Sequence, residues 1–344
     1  MRTFTFKGLF LTVLLGCLSI QAADADLITK QITIKLDEAG TLPNKIGNSR
    51  KYDITNLKLV GEINGTDLRM IREMAGRDHN GDVTKGNLSV LDLSEAKIVE
   101  GGGSYCSDYY TSNDKIGDVA FSGCSGLTSF TLPAGITRIG SYAFHGCSGL
   151  TSLNLPAGIT EIDWNAFYGC SGLTSLNLPV GITSIGNYAF SGCSGLTSLN
   201  LPAGITEIGQ GAFQYCSGLT SITLHAGITE IGHGAFSGCS GLTSIYVYAE
   251  KVPEILSDAF KGCDAKKCTV YVPKGTYDDY WLSDFGYFEN IVEFDATGID
   301  KTTTSTDVEE VSRYSVNGQR LVGPTKGLNI VKYSDGSIKK VAVE

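Results

Sequence analysis

Apolar side chains recur at fixed positions through the middle of the chain. A 23-residue unit with the pattern SGLTSxxLPxGITxIGxxAFxGC repeats five times from Ser125 to Cys239 without insertion or deletion. A truncated copy precedes these units (Ile116–Cys124), and a sixth copy with one extra residue follows them (Ser240–Cys263). A short fixed period is typical of a solenoid, in which each unit buries its apolar residues against its neighbours. We therefore predict a β-rich solenoid.

Each unit predicts two short strands followed by a turn. In the first complete unit, Leu127, Phe130 and Leu132 have the spacing of a strand with its apolar residues inward. Ile136 and Ile139 form a second inward pair, and the AF dipeptide after them predicts a short helical or 3₁₀ turn. Because equivalent residues are 23 positions apart, we expect parallel ladders spaced by about 4.8 Å. The phenylalanine of each unit should then join a single buried aromatic column.

The segment before the repeats, residues 26–115, is irregular and more highly charged. Asp67–Ala75 has apolar residues at helical spacing and predicts a helix with Thr66 or Asp67 as its N-cap. Leu88–Leu93 reproduces the strand of the later units. Since a solenoid must cover its exposed apolar end, we interpret residues 26–115 as an N-terminal cap that includes the first repeat strand.

The repeats are followed by three segments of different composition. The solenoid itself is assigned to residues 116–263, and an aromatic-rich C-terminal cap to residues 264–296. Residues 297–310 are polar and low in complexity, as expected of a linker. Residues 311–344 alternate between apolar and polar positions and predict a small β module.

The first 25 residues have the pattern of a signal peptide. Two basic residues precede an apolar run, Gly8–Ile20, that is too short to span a membrane, and small residues near Ala25 provide a cleavage site. A second interpretation stays open, because the residues ending at Cys17 resemble a lipoprotein box that would leave this cysteine lipidated. No later stretch is long and apolar enough to span a membrane, so we predict an exported protein without a transmembrane segment.

The net charge of the chain argues against nucleic acid as a partner. The chain of 344 residues has a formal net charge of −9. Such a surface cannot neutralise phosphate groups, and we therefore expect no binding to nucleic acid. Within the five regular units the only Lys or Arg is Arg138, and the acidic residues are Glu161, Asp163, Glu207 and Glu230.

Cysteine recurs with the repeat. It could form a ladder for redox chemistry or metal binding, or a column of small buried side chains. We favour buried thiols, because metal sites gather their ligands in short CxxC clusters that are absent here, and free cysteine packs as a small apolar residue. Cys263 and Cys268 are the pair best placed for a disulfide. The repeated cysteines are Cys124, Cys147, Cys170, Cys193, Cys216, Cys239 and Cys263.

The repeated unit resembles the BspA-like (Treponema-type) leucine-rich repeats of bacterial surface proteins over Leu88–Cys263. The resemblance implies a secreted or surface-attached protein that engages host or matrix proteins through its solenoid. Cys268–Glu293 is similar to the closing segment of that family. The tail, with Tyr314–Gln319 and Pro324–Val331, resembles the C-terminal sorting domains of secreted proteins from Bacteroidetes, which implies a role in sorting or anchoring.

The side chains that differ between units cluster near the AF turn. A constant skeleton that carries variable aromatic and polar side chains suits a recognition surface, because aromatic residues supply a large contact area at low entropic cost. An unconstrained outer surface would vary in the same way, so both interpretations stay open. The candidate binding residues are Tyr142, His145, Trp164, Tyr168, Tyr188, Gln210, Gln214 and His233.

The sequence contains no pattern that predicts catalysis, a metal site or a cofactor. Cys147 with His145 resembles a nucleophilic pair, but no other unit repeats it and no third group orients it. We therefore predict a non-enzymatic adhesin, secreted or attached to the outer membrane or cell surface, that binds an extracellular protein or glycan. The alternative is a structural or assembly component of the cell envelope.

Overall fold

The computed structural model describes residues 27–295 and four parts of the C-terminal region: 310–315, 320–324, 326–333 and 338–343. The predicted signal peptide and the Cys17 lipid anchor lie outside the described residues, as does nearly all of the predicted linker.

The described chain forms a parallel β solenoid, as the repeat period predicts. One long sheet of eleven strands runs along it, and neighbouring strands are hydrogen-bonded in chain order. Strands of adjacent units pair 23 residues apart, for example Ser152 with Ser175. The eleven strands, all parallel, are Ile32–Lys35, Asn56–Ile63, Val90–Ile98, Ser129–Thr131, Ser152–Asn154, Ser175–Asn177, Ser198–Asn200, Ser221–Leu224, Ser244–Val247, Thr269–Pro273 and Asn290–Phe294.

A second column of two-residue strands forms another side of the solenoid. It is divided into two short parallel sheets rather than one continuous ladder. The first sheet contains Lys115–Ile116, Arg138–Ile139 and Glu161–Ile162. The second contains Ser184–Ile185, Glu207–Ile208, Glu230–Ile231 and Glu254–Ile255.

The AF dipeptide lies on the remaining side, which is built from tight turns. Backbone bonds from Ala143 to Gly140 (3.2 Å) and from Cys147 to Phe144 (3.1 Å) shape the turn within one unit. The N–H of Phe144 also donates to the carbonyl of Ala166 in the next unit, at 2.7 Å. The three sides therefore all carry hydrogen bonds between units, and the apolar residues are left in the interior.

The interior contains the predicted aromatic column. Consecutive phenylalanine rings are nearly parallel, with centroids 5.2–5.6 Å apart, and each ring is buried. The phenylalanine of the truncated first copy begins the column. The members are Phe121, Phe144, Phe167, Phe190, Phe213, Phe236 and Phe260.

The N-terminal region contributes its own strands to the long sheet and adds two helices, Leu42–Ile46 and Gly65–Met74. The predicted N-cap was wrong: Asn64 caps the second helix, and its side chain accepts a hydrogen bond from the N–H of Thr66. Asp67 completes a capping box by accepting from the N–H of Asn64. A β-hairpin, Gly101–Cys106 with Tyr109–Thr111, follows the third strand.

The last turns of the solenoid are followed by a helix, Tyr277–Trp281, and a 3₁₀ helix, Asp284–Tyr287. Phe285 and Phe288 lie 5.4 and 5.3 Å from the Phe260 ring and so cover the end of the aromatic column. The C-terminal residues form a separate antiparallel sheet of four strands. These strands are Glu310–Ser315, Arg320–Leu321, Gly327–Tyr333 and Ile338–Val343.

Candidate binding surface

The repeated cysteines lie inside the solenoid, where they bond to the backbone. All seven are buried. The thiol of Cys147 donates to the carbonyl of Phe121 in the preceding unit (3.1 Å), and Cys170 bonds to Phe144 in the same way. Six of these bonds, at 3.1–3.4 Å, run along the column. Each thiol thus fills a small apolar space and satisfies a buried carbonyl group.

Burial also keeps these thiols protonated. Loss of hydration raises the pKa of Cys124 to about 11 and that of Cys170 to about 12. A protonated buried thiol is a poor nucleophile and a poor metal ligand. Cys263 and Cys268 are also free thiols in the structure, and a disulfide between them stays a prediction.

Aromatic side chains from neighbouring units meet beside the AF turns. The rings of Tyr142 and Trp164 are 5.5 Å apart, and His145 stacks on Tyr168 at 5.2 Å. Tyr142 also contacts His145 at 5.6 Å, which joins the four rings into one cluster. Trp164 is 51% exposed and Tyr168 40%, so the cluster presents a large aromatic area to solvent.

The surface continues into the next units. The ring of Tyr188 lies against Gly211 so closely that a methyl group on this glycine would come within 2.4 Å of a ring carbon. The side-chain amide of Gln210 donates to the Tyr188 hydroxyl at 2.7 Å. His233 is exposed and pairs with Ser257 at 2.8 Å, whereas Gln214 is half-buried.

Two of these tyrosines occupy strained backbone positions. The residue before the AF dipeptide lies in the left-handed region in each unit, and Tyr142 and Tyr188 have φ values of +57° and +56° there. Other units have Asn165, Gly211 or Gly234 at the same position. A bulky residue in this region is uncommon and costs about 1–2 kcal/mol. Backbone strain of this kind clusters at functional sites.

The structure adds a residue that the sequence analysis missed. Tyr215 is exposed and has a φ of +59° at a position where the complete units otherwise have glycine. Its ring lies over Gly238 of the next unit. The signal was visible in the repeat, because Tyr215 interrupts the constant glycine before the cysteine. We call this set of exposed and half-buried rings the aromatic band; it consists of Tyr142, His145, Trp164, Tyr168, Tyr188 and Tyr215.

A cleft opens beside the band where the two short sheets meet. In intact parts of this column the N–H of one threonine donates to the carbonyl one unit earlier, for example Thr160 to Thr137 at 3.0 Å and Thr206 to Thr183 at 3.2 Å. Within residues 27–295, the corresponding bond from Thr183 to Thr160 is missing. The resulting cleft has a volume of about 550 Å³. It is lined by Thr160, Glu161, Ile162, Asp163, Trp164, Thr183, Ser184, Gly186 and Asn187.

The electrostatics of this surface are mild. Arg138 lies 2.6 Å from Asp163 and 3.4 Å from Glu161, so one cation faces two carboxylates at the cleft. Partial burial lowers the pKa of His145, which leaves this ring neutral near pH 7. Among the described residues, no cluster of three or more potential metal ligands occurs, and no helix has the length and apolar character needed to cross a membrane.

Comparison with known families agrees with this architecture. The family described as BspA type leucine-rich repeat region matches residues 114–242 and 160–278, in six copies. Residues 114–278 of the chain belong to this family. The comparison with curated proteins gives no match.

Several solved structures are similar to the chain. A leucine-rich repeat protein from Bacteroides ovatus is 31% identical, with 48% of this chain and 44% of that chain covered and a TM-score of 0.43. The leucine-rich repeat protein of T. pallidum is 36% identical over 39% and 64% of the two chains, with a TM-score of 0.38. The pneumococcal vaccine antigen PcpA is 19% identical over 71% and 57%, with a TM-score of 0.43. The chain thus spans less than two thirds of each of these proteins.

Proposed function

We propose that this protein is an exported, non-enzymatic adhesin that binds an extracellular protein through the aromatic band. The observation that carries the proposal is the presence of exposed or half-buried aromatic rings at positions where other units have small or polar residues. Three of them, Tyr142, Tyr188 and Tyr215, also occupy strained backbone positions. Packing does not require these rings, whereas recognition by a partner protein would use them.

The solenoid provides the rigid support that such a surface needs. Rings that are already held by neighbouring units lose little conformational freedom when a partner binds, which favours affinity. Residues 26–115 and 264–296 would serve as the two caps that protect the apolar ends of the array.

The proposal is tested with the intact mature chain and a panel of immobilised extracellular matrix and plasma proteins. We expect saturable binding to at least one of them, and weakening of about tenfold or more for Trp164→Ala. Trp281→Ala is a matched control, because Trp281 has a similar exposure (46% against 51%) but lies in the C-terminal helix. Tyr277→Ala, at 39% exposure, is the control for Tyr168→Ala. Equal loss in a variant and its control would contradict the proposal.

A second function is supported by the C-terminal region. Residues within 310–343 form their own antiparallel sheet, which suits an attachment module of an envelope component. We would delete residues 297–344 and locate the protein by cell fractionation and surface proteolysis. If the truncated protein is mislocalised and the intact chain binds no member of the panel, the envelope function replaces adhesion.

A further inference from the structure

At the cleft between the two short sheets, a backbone bond that repeats elsewhere along this column of the described solenoid is left unmade. The carbonyl of Thr160 and the N–H of Thr183 both line the gap, while the next bond, from Gly186 to the carbonyl of Ile162, is kept at 3.1 Å. The opening is therefore local. Val180, at 86% exposure, lies in the same unit, at a position that is alanine in the other four regular units.

The polar groups of the cleft match a polyhydroxyl ligand. The Thr160 carbonyl and the Glu161 carboxylate accept hydrogen bonds, and the Thr183 N–H and the Ser184 hydroxyl donate them. Asn187 accepts from the N–H of Gln210 through its side-chain oxygen (2.9 Å), which leaves its amide nitrogen to donate. The cleft thus offers donors and acceptors side by side, as vicinal hydroxyl groups require.

Trp164 supplies the apolar side of the cleft. Its half-exposed indole lines the opening, and the C–H face of a pyranose ring packs well on such a flat aromatic surface. The volume of about 550 Å³ lies within the range of about 300–1,000 Å³ that is usual for small-ligand sites. Two carboxylates face one arginine here, so an anionic ligand would be repelled.

We infer that this cleft is a binding site for a neutral saccharide, a short terminal unit of a glycan. The inference shares Trp164 with the proposed function but does not otherwise rest on it. Protein binding by the band would depend on Tyr188 and Tyr215, whereas saccharide binding would depend on Glu161 and Asn187. The two ideas can therefore fail separately.

Tryptophan fluorescence offers a direct test, because the chain contains only two tryptophans. In the intact Trp281→Phe protein, emission reports on Trp164 alone. We would titrate this protein with glucose, galactose, mannose, N-acetylglucosamine and their common disaccharides, and record saturation-transfer NMR on the same samples. We expect a saturable change in emission for at least one sugar, and transfer of saturation to its ring protons.

Variants of the lining locate the site. Glu161→Gln and Asn187→Ala should each weaken binding of that sugar by about tenfold. Glu230→Gln is the matched control, since Glu230 holds the same repeat position in an intact ladder and should leave the affinity unchanged. Absence of both signals for every sugar overturns the inference, and so does a sugar response that Glu161→Gln and Asn187→Ala do not change. A response to N-acetylarginine amide but to no sugar would also overturn it, in favour of a cationic peptide ligand.

Discussion

The solenoid carries two sets of stacked rings, and they differ in what holds them in place. The buried phenylalanine column has one ring in every unit, with parallel stacking at 5.2–5.6 Å. The aromatic band has similar spacings, such as 5.2 Å between His145 and Tyr168, but its rings are exposed or half-buried and lie at positions that change between units. The first set is required by packing, whereas the second is only permitted by the backbone. The difference separates residues that stabilise the fold from residues available for binding.

The largest expected difference in stability is between two alanine substitutions, one in each set of rings. Phe167→Ala should lower the free energy of unfolding by about 3–5 kcal/mol, because it leaves a cavity in the centre of the column. Trp164→Ala, three residues away, should change it by less than about 1 kcal/mol. Urea unfolding followed by circular dichroism measures both. A similar loss in the two variants would show that the band is part of the core.

The buried thiols provide the next test, through alkaline pH. The pKa of the Cys170 thiol is raised from its ordinary value near 9 to about 12, so between these values the unfolded chain loses a proton that the folded chain keeps. The contribution of this thiol to the free energy of unfolding is therefore complete below about pH 9 and is lost as the pH rises towards 12. Cys170→Ser should reduce this slope by up to about 1.4 kcal/mol per pH unit.

Urea midpoints of the wild type and the Cys170→Ser variant at about pH 8 and pH 10.5 check that slope. The same pH dependence in both proteins would mean that this thiol is hydrated and does not belong to the buried column.

A smaller effect of opposite sign is expected in the band. Tyr215→Gly restores the glycine of the repeat and relieves about 1–2 kcal/mol of backbone strain. Against this, the greater conformational entropy of glycine stabilises the unfolded chain by about 0.4–1 kcal/mol. We expect the variant to be more stable by up to about 1 kcal/mol and to bind the protein partner less tightly. Thermal unfolding and the binding assay measure the two effects. A loss of stability would show that the Tyr215 ring is structural.

The smallest expected effect concerns His145. Partial burial lowers its pKa, so protonation disfavours the folded state as the pH falls below the usual value of 6.5. In the Tyr168→Ala variant, the His145 imidazole loses the ring that is stacked on it, and the pKa of His145 should rise towards 6.5. NMR titration of the imidazole protons follows this change. An unchanged pKa in the variant would show that Tyr168 does not shield His145.

The recurring residues made the fold predictable from the sequence. A constant leucine, isoleucine, phenylalanine and cysteine every 23 residues can be buried together only if the units stack in register, and Ser152 indeed pairs with Ser175. The helix N-cap was less predictable: Thr66, Asp67 and Asn64 are all suitable residue types, and the choice depends on contacts with the segment before the helix. Asp67 also accepts from the N–H of Leu42, 25 residues earlier.

The candidate surface was predicted only in part. Variable aromatic positions pointed to Tyr142, Trp164 and Tyr188, whereas Tyr215 was hidden because it replaces a residue assigned to the constant skeleton. The cleft could not be predicted from the sequence, because the threonine on either side of it is the same residue type that forms the backbone bond normally in other units.

By itself, the sequence determined the period, the stacking of units and the composition of the interior. These follow from burial, which acts on every unit in the same way and leaves a repeated signal. Only the tertiary structure decided where the rings of different units meet and where the short ladder opens between Thr160 and Thr183. These features depend on small differences in how neighbouring units fit together, and a small shift is enough to make or break one hydrogen bond.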